Sequence, residues 1–347
     1  MLIRLNALAS SAAALLCGTA SAQIDYVSQT RTADARATAN NSGGSPVVDS
    51  SMASAPDFQL FDAVVDASVN EALGTGSATA RHRSELLQDR IDLRLTPIAS
   101  ATAPDLTPNA LGSGRATSEF EVAFDLRYPC RCELSGSMNY LGSTSSPSIW
   151  LSGPSGVSWY FDGGVQGTTP VFRSQVLPIG RYTLHAVAFA SEGADMFSTF
   201  GGRGRVEATF TATPVVGTAY CTGGVNSSGT AATLRGEGTP LVADMDLRLV
   251  AEGVVPLTFG LFFFGPSRTV QPLGAGTLCV GGTLRRLHAP ALTNVLGRYD
   301  HPVNLSSSSP YSALLAPGST WNFQFWYRDA LVPEGSNASD ALEVTLY

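Results

Sequence analysis

Residues 319–329, with the sequence STWNFQFWYRD, decide the fold of the second half of this chain. Aromatic side chains occupy alternate positions there, and alternate residues of a β-strand share one face of the sheet. One face of the strand therefore consists of Trp321, Phe323, Phe325 and Tyr327. Each such ring buries about 150–250 Å², so this aromatic face needs a second sheet to cover it. We predict a β-sandwich built around this strand.

The composition of the whole chain also favours β-structure. Charged residues make up 14% of the 347 residues, whereas Gly and Pro occur 35 and 20 times. Such low charge with frequent turn-forming residues is typical of all-β proteins. From Ser118 onward, alternating segments are separated by turn signals such as the Asp-Gly-Gly at 162–164. We predict an all-β protein of two antiparallel, jelly-roll-like β-sandwich domains in tandem, at residues 57–215 and 219–347.

The beginning of the chain has the features of a secretory signal peptide. Residues 1–22 contain one charge, Arg4, an apolar run at 5–16 and an A-x-A cleavage motif at 20–22. The apolar run is too short to span a membrane, and no later stretch is long and apolar enough. Residues 23–56 are small and polar, as in a disordered leader or a protected edge strand. We therefore expect an exported protein, either secreted or at the cell surface, without a transmembrane segment.

The charge of the chain disfavours two classes of partner. The net charge is −7, and all 21 basic residues are Arg. The sequence shows no cluster of Arg with interleaved aromatic residues, so nucleic-acid binding is disfavoured. The acidity of the chain also disfavours docking on an anionic membrane surface.

Five cysteines occur, and Cys17 lies within the predicted signal peptide. The remaining four allow three pairings in an oxidising compartment. We favour a disulfide between Cys221 and Cys279, which lies within one predicted domain. In the chain-entropy model, closing a loop of this length stabilises the fold by about 4 kcal/mol. Cys130 and Cys132 are then left together. Residues two apart on a strand lie near the upper distance limit for a disulfide, so whether these two bond stays open.

The second half resembles a C-terminal domain found in secreted, uncharacterised proteins of planctomycete-type bacteria. The matching residues are Tyr220-Cys221, Asn226-Ser227-x-Gly229, Gly274-x-Gly276-x-Leu278-Cys279, residues 321–329, and Asn337-x-Ser339-Asp340-Ala341. This resemblance covers residues 219–347 and implies export, a β-sandwich and the Cys221–Cys279 bridge. It implies no catalytic residues.

Motifs for catalysis, cofactors or metals are weak in this sequence. The four histidines, His82, His185, His288 and His301, form no metal or protease motif, and no G-x-S-x-G elbow occurs. Two carboxylate pairs, Asp244 with Asp246 and Glu119 with Glu121, fall on the polar faces of predicted strands, as solvated residues do. The Asp residues at 162 and 195 lie in predicted loops but not in a calcium-loop pattern. We predict no enzymatic activity, no cofactor and no metal site.

The polar face of the strand at 319–329 provides the candidate binding site. Asn322, Gln324 and Arg328 would offer hydrogen-bonding groups around Trp326, whose ring can stack on a sugar. The leading hypothesis is a non-enzymatic structural or interaction protein with an extracellular glycan or a surface protein as partner. The first alternative is a carbohydrate-binding module, and the second is an extracellular hydrolase.

Overall fold

The computed structural model describes residues 24–103, 109–142, 147–156, 158–164, 166–195 and 197–347. The predicted signal peptide lies outside these residues. Within them the regular structure consists of strands and two short 3-10 helices, at Pro154–Gly156 and Val242–Asp244. The described residues include no helix with the length and apolar character needed to cross a bilayer. The prediction of an all-β fold is confirmed, and all paired strands are antiparallel.

The strands, in chain order, are β1 Asp25–Asn40, β2 Pro46–Ser54, β3 Phe61–Glu71, β4 Gly74–Leu86, β5 Arg90–Thr102, β6 Leu111–Leu126, β7 Cys130–Leu141, β8 Ser148–Ser152, β9 Ser158–Asp162, β10 Gly167–Leu177, β11 Gly180–Asp195, β12 Thr199–Pro214, β13 Thr218–Tyr220, β14 Thr233–Glu237, β15 Arg248–Glu252, β16 Phe259–Gly265, β17 Ser267–Leu273, β18 Gly276–Gly281, β19 Arg285–Arg286, β20 Ala291–Leu292, β21 Tyr299–Pro302, β22 Thr320–Arg328 and β23 Ser336–Thr345.

The first twelve strands form a sandwich of two six-stranded sheets. Sheet 1 has the order β2-β1-β6-β11-β8-β9, and sheet 2 has the order β10-β7-β12-β5-β4-β3. Alternate residues of each long strand point into the space between the sheets, which gives the strict burial alternation seen along β6 and β12. Large buried side chains, among them Phe120, Phe124 and Phe210, fill the core at one end of the sandwich.

Residues 24–56 are not a disordered leader, and the edge strand within them is β2 rather than β1. Strand β1 pairs with β2 on one side and with β6 on the other, so it is an inner strand of sheet 1. Its buried face carries Arg31, which is 1% exposed, followed by Ala33, Ala35, Ala37 and Ala39, each 0% exposed. The strand belongs to the core although it carries no large apolar side chain on this face.

The two sheets come very close together where these alanines pack. A Cβ atom built on Gly76 of β4 would lie 2.0 Å from the carbonyl oxygen of Ser113 on β6, and one on Gly112 would lie 2.1 Å from that of Thr75. Backbone therefore contacts backbone across the sandwich, and only glycine fits at these positions. Because the gap is this narrow, alanine is large enough to fill the remaining space.

The second half forms a smaller sandwich around β22. Sheet 3 has the order β13-β23-β22-β16-β19, with β20 also pairing with β16, and sheet 4 has the order β14-β15-β21. Phe323, Phe325 and Tyr327 are each 0% exposed and pack in the core between these sheets, with half-buried Trp321 at its margin. The predicted aromatic face and its covering sheet are thus confirmed.

The β17–β18 hairpin lies over the opposite face of sheet 3. Leu273 and Leu278 of the hairpin pack with Leu261 and Phe263 of β16 in a second, smaller apolar cluster. Cys279 of β18 is bonded to Cys221, which confirms the favoured disulfide and ties the hairpin to the segment that follows β13.

Cys130 and Cys132 are free thiols, so a bond between them, which the sequence left open, is not present. Both side chains point from β7 into the core and are 0% exposed. They lie two apart on a regular extended strand, and a disulfide there would need a local distortion of the backbone.

The two sandwiches touch through Leu241 and Tyr347 of the second, which pack against the core of the first. The backbone of Tyr347 bonds to the segment at 240–242: its N–H donates to the carbonyl of Pro240, and its carbonyl accepts from Val242.

Candidate functional site

The polar face of β22 is largely buried, in contrast to its predicted role as a binding face. Asn322 is 2% exposed and Gln324 is 0% exposed, whereas Trp326 is half-buried and Arg328 is exposed. These four side chains share the outer face of sheet 3, as the alternation predicts. The hairpin β17–β18 covers the part of this face that holds Gln324, so Asn322 and Gln324 are not available to a ligand.

Gln324 joins three strands through its amide group. Its Nε2 donates to the carbonyl oxygens of Thr277 (2.7 Å) and Ser339 (2.8 Å), and its Oε1 accepts from the N–H of Cys279 (3.0 Å). All of its strong hydrogen-bonding groups are therefore used by β18 and β23. Gln324 holds the hairpin on the sheet, and its role is structural.

Trp326 lies at the edge of this covered region and lines an open groove of about 450 Å³. We name this cavity the Trp326 groove. Leu261 and Phe263 also line it from β16, and Leu261 is the cross-strand partner of Trp326. Leu273 and Leu278 line it from the hairpin. A volume of this size is within the range of sites that bind small ligands or single side chains of a partner.

Two arginines complete the Trp326 groove. Arg285 and Arg286 form β19, which pairs with Phe264 and Phe263, and both side chains are exposed. Leu284, which precedes them and also lines the groove, is 45% exposed. Sequence reasoning missed these residues, because a strand of two residues gives no periodic signal. The groove is therefore apolar with two guanidinium groups among its lining residues.

The apolar surface continues beyond the groove along β16. Phe259 shares a strand face with Leu261 and Phe263, and it pairs directly with Leu292 of β20. Phe259 is 52% exposed and Leu292 is 49% exposed. Large apolar side chains exposed next to an apolar groove are typical of an interaction surface.

Most of the polar residues that carry the family resemblance are engaged in hydrogen bonds that shape loops. Asn226 donates to the carbonyl of Gly253 at 2.7 Å and accepts from the N–H of Ser228 at 2.9 Å. Asp329 is 0% exposed and accepts from the N–H of Ser227. Asp340 accepts from the N–H of Leu234, and burial raises its pKa to about 6.

A serine–histidine contact exists in the first sandwich, but its surroundings do not suit catalysis. The Nε2 of His82 lies 2.9 Å from the Oγ of Ser84, while Nδ1 faces the carbonyl of Thr32 at 3.1 Å. Both side chains are 1% exposed. The neighbouring charge is the guanidinium of Arg31 rather than a carboxylate, and it also donates to Ser84 Oγ. Because a nucleophile must reach its substrate, this buried contact is structural.

Arg31 is itself a buried cation, 1% exposed, and its bonds explain why it is tolerated. Its five N–H groups meet five oxygens: Oε1 of Gln29, the carbonyl and Oγ of Ser84, and the carbonyls of Asp57 and Gln59. Arg31 therefore holds the segment between β2 and β3 against the sandwich.

The two predicted carboxylate pairs lie in different sandwiches, and His185 is next to the pair in the first sandwich. His185 is 7% exposed, as expected for a packed side chain, and contacts Glu119 Oε1 at 3.0 Å. The predicted pairing of Asp244 with Asp246 on one strand is wrong, because Asp244 lies in a 3-10 helix and β15 begins at Arg248.

His288 and His301 lie together in the second sandwich, with ring centroids 4.2 Å apart. Burial and the neighbouring His288 lower the pKa of His301 to about 4. Among the described residues, no group of three or more His, Cys, Asp or Glu side chains is arranged to hold a metal ion.

No protein-family model matches the chain, and a comparison with curated proteins finds no match. Among solved structures, the chain is similar to one described as the crystal structure of a tetra-tandem repeat in the extending region of a large adhesion protein. The sequence identity is 10%, the match covers 95% of this chain and 97% of that chain, and the TM-score is 0.22. At this TM-score the likeness carries no argument about fold or function.

Proposed function

We propose that this chain is a non-enzymatic interaction protein of the cell surface or extracellular space, and that the Trp326 groove binds an apolar side chain from an acidic segment of a partner protein. The observation that carries the proposal is the position of Trp326, which is half-buried and lines an apolar groove that Arg285 and Arg286 also line. A large aromatic anchor in a pocket near charged groups is the usual arrangement of a binding hot spot.

The lining of the groove favours a protein segment over a neutral sugar. Sugar hydroxyls lose their bonds to water on binding, so a sugar site must offer polar partners in return. The two amides that were expected to do this, Asn322 and Gln324, are buried, and Gln324 is fully bonded. Arg285 and Arg286 donate only, and guanidinium groups suit carboxylates best.

Peptides selected from a random phage-displayed library on the folded protein test this function. We expect the bound peptides to contain large apolar residues next to Asp or Glu. Trp326→Ala should weaken their binding, measured by fluorescence polarisation, by about 30-fold or more. Phe172→Ala is the matched control, because Phe172 is a 63% exposed aromatic residue on the first sandwich.

The same experiment separates the alternatives. A glycan-array signal that disappears in Trp326→Ala, without any peptide ligand, would replace the proposal with the carbohydrate-binding hypothesis. Peptides that bind Trp326→Ala and the unmodified protein equally well would exclude the groove as the binding site.

A further inference from the structure

A second feature of the molecule lies on the outer surface of sheet 2, away from the Trp326 groove. Five arginines from three neighbouring strands converge there, and we name this surface the arginine face. Its members are Arg81 and Arg83 of β4, Arg94 of β5, and Arg203 and Arg205 of β12. They share the outer face because each occupies a position that alternates with a buried residue.

The strand register brings the arginine face together. Arg94 is directly opposite Arg83 in the pairing of β5 with β4, and Arg203 is opposite Ile98 of β5. Arg81 lies opposite Thr96, and this pair separates the Arg83–Arg94 pair from the Ile98–Arg203 pair along the strands. Asp62 of β3 lies opposite Arg83 on its other side, and Glu207 of β12 lies opposite Arg94, so the two arginines are the centre of a cross-strand row with a carboxylate at each end.

The arginine face also forms a groove of about 470 Å³, lined by all five arginines. Arg83 is paired with Asp62, and Arg205 is paired with Glu207. Arg81, Arg94 and Arg203 are exposed and make no ion pair with any other residue in the described part of the chain. The groove itself holds five cations and one carboxylate, Asp62, so it is positive in a protein whose net charge is −7. Glu85, Asp92 and Glu207 lie in the adjoining cavity, which Arg83 and Arg94 also line.

The size and chemistry of the arginine face specify its ligand. Guanidinium groups bind sulfate and carboxylate groups through two parallel hydrogen bonds. Neighbouring strands lie about 4.8 Å apart and residues rise about 3.3 Å along each, so the face measures about 10 Å by 13 Å. This area exceeds a single small anion and matches a chain with anionic groups at successive units.

We propose that the arginine face binds an anionic polysaccharide that carries sulfate or carboxylate groups at repeated positions. This inference is independent of the Trp326 groove, since it concerns the other sandwich. A nucleic acid is the less favoured polyanion. The residues that accompany the arginines in the groove are Asp62, Val64, His82, Thr96 and Ile98. The only aromatic ring among them, that of His82, is 1% exposed and therefore not available for base stacking.

Fluorescence polarisation with labelled dextran sulfate, polygalacturonate and neutral dextran of equal length tests the proposal. We expect binding to one or both anionic polymers and none to dextran, with affinity falling about tenfold or more between 50 and 200 mM NaCl. The sulfated and carboxylated polymers show which anionic group is preferred.

Two triple variants with the same change of charge locate the site. Arg81→Gln/Arg94→Gln/Arg203→Gln removes the three arginines without ion pairs and should weaken binding about tenfold or more. Arg36→Gln/Arg131→Gln/Arg173→Gln removes three other exposed arginines and should change binding less than twofold. Circular dichroism verifies that both variants are folded.

Three outcomes would overturn the proposal. The first is no binding of either anionic polymer at 50 mM NaCl. The second is an equal loss of binding in both triple variants, which would indicate a general charge effect. The third is tighter binding of single-stranded or duplex DNA than of either polysaccharide, which would make the surface a nucleic-acid site.

Discussion

The burial of His82 in the first sandwich predicts a loss of stability in acid. His82 is 1% exposed, and burial lowers its pKa from the ordinary value of 6.5 to about 4. The backbone hydrogen bond to Thr32 opposes this shift, and the charge of Arg31 adds to it. The unfolded chain therefore binds a proton at His82 between pH 6.5 and 4, whereas the folded chain does not.

The sign and size of the effect follow from this difference. Where the unfolded state binds more protons, the free energy of unfolding falls as the pH falls. A shift from 6.5 to about 4 corresponds to about 3 kcal/mol. The loss begins as the pH falls below about 6.5 and is complete near pH 4.

Urea denaturation at pH 7, 6, 5 and 4, at constant ionic strength, measures the loss. His82→Gln removes the titrating group, so between pH 7 and 4 the unmodified protein should lose about 3 kcal/mol more stability than the variant. The urea unfolding transition whose midpoint changes in His82→Gln at pH 7 is assigned to the first sandwich. Ser84→Ala is the matched control, because it removes a hydrogen-bond partner but leaves the imidazole buried, and it should retain the pH dependence.

A direct titration of the His82 ring by NMR provides the decisive measurement. A pKa at or above 6 would refute the reasoning, because it would mean that burial and Arg31 do not keep the ring neutral. An equal loss of stability in the unmodified protein and in His82→Gln would refute it as well.

Two further predictions concern the packing of the first sandwich. Gly76→Ala should lower the free energy of unfolding by about 1–3 kcal/mol or more, because its Cβ would lie 2.0 Å from a backbone oxygen of the facing sheet. Gly193→Ala, where no atom lies within 4 Å, should be nearly neutral, and equal effects of the two changes in urea denaturation would contradict the close approach of the sheets. Cys130 and Cys132 should resist iodoacetamide in the folded protein, since burial raises the pKa of the Cys130 thiol to about 12. In urea without reductant, mass spectrometry should find two alkylated cysteines in the chain from Gln23 onward; alkylation before unfolding would contradict their burial.

The sequence revealed the two faces of β22 but not what covers them. A period of two separates aromatic from polar residues, and an aromatic ridge must be buried, so the core face was predictable. The same pattern does not tell whether the polar face of β22 is exposed to solvent or covered by another part of the chain. The β17–β18 hairpin, whose own pattern is irregular, covers the part of this face that holds Gln324, and Gln324 bonds to Thr277 and Cys279 of the hairpin. A partial signal was Cys279, since a disulfide-bonded cysteine places its strand against another part of the fold.

The sequence does not mark β1 as an inner strand, because the buried apolar side chains of β1 are small. Hydrophobic periodicity is a reliable signal where large apolar residues mark the core, and the residues at 33, 35, 37 and 39 are all alanine. Alanine suffices there because glycines such as Gly76 and Gly112 let the facing strands approach closely. The alternation of Ala with polar residues was present in the sequence, but its meaning depended on glycines about 40 to 70 residues further along the chain.

The arginine face could not be predicted from the sequence, because its members come from strands that are distant in the chain. Arg81 and Arg83 on β4 meet Arg203 and Arg205 on β12 only because β5 pairs with both strands. A linear search for basic clusters finds two arginines at a time, each pair flanked by acidic or neutral residues. The order and register of the strands in sheet 2 decide which charges become neighbours.

The acidity of the whole chain is compatible with binding of a polyanion at the arginine face. At 0.1 M salt the screening length is about 10 Å, so distant carboxylates repel an approaching polyanion only weakly and do not cancel the contacts made at the arginine face. Attraction is then local, and little long-range steering accelerates association. Loss of Arg81, Arg94 and Arg203 should consequently act mainly on the dissociation rate, whereas for a uniformly basic protein such a change would act on the association rate as well.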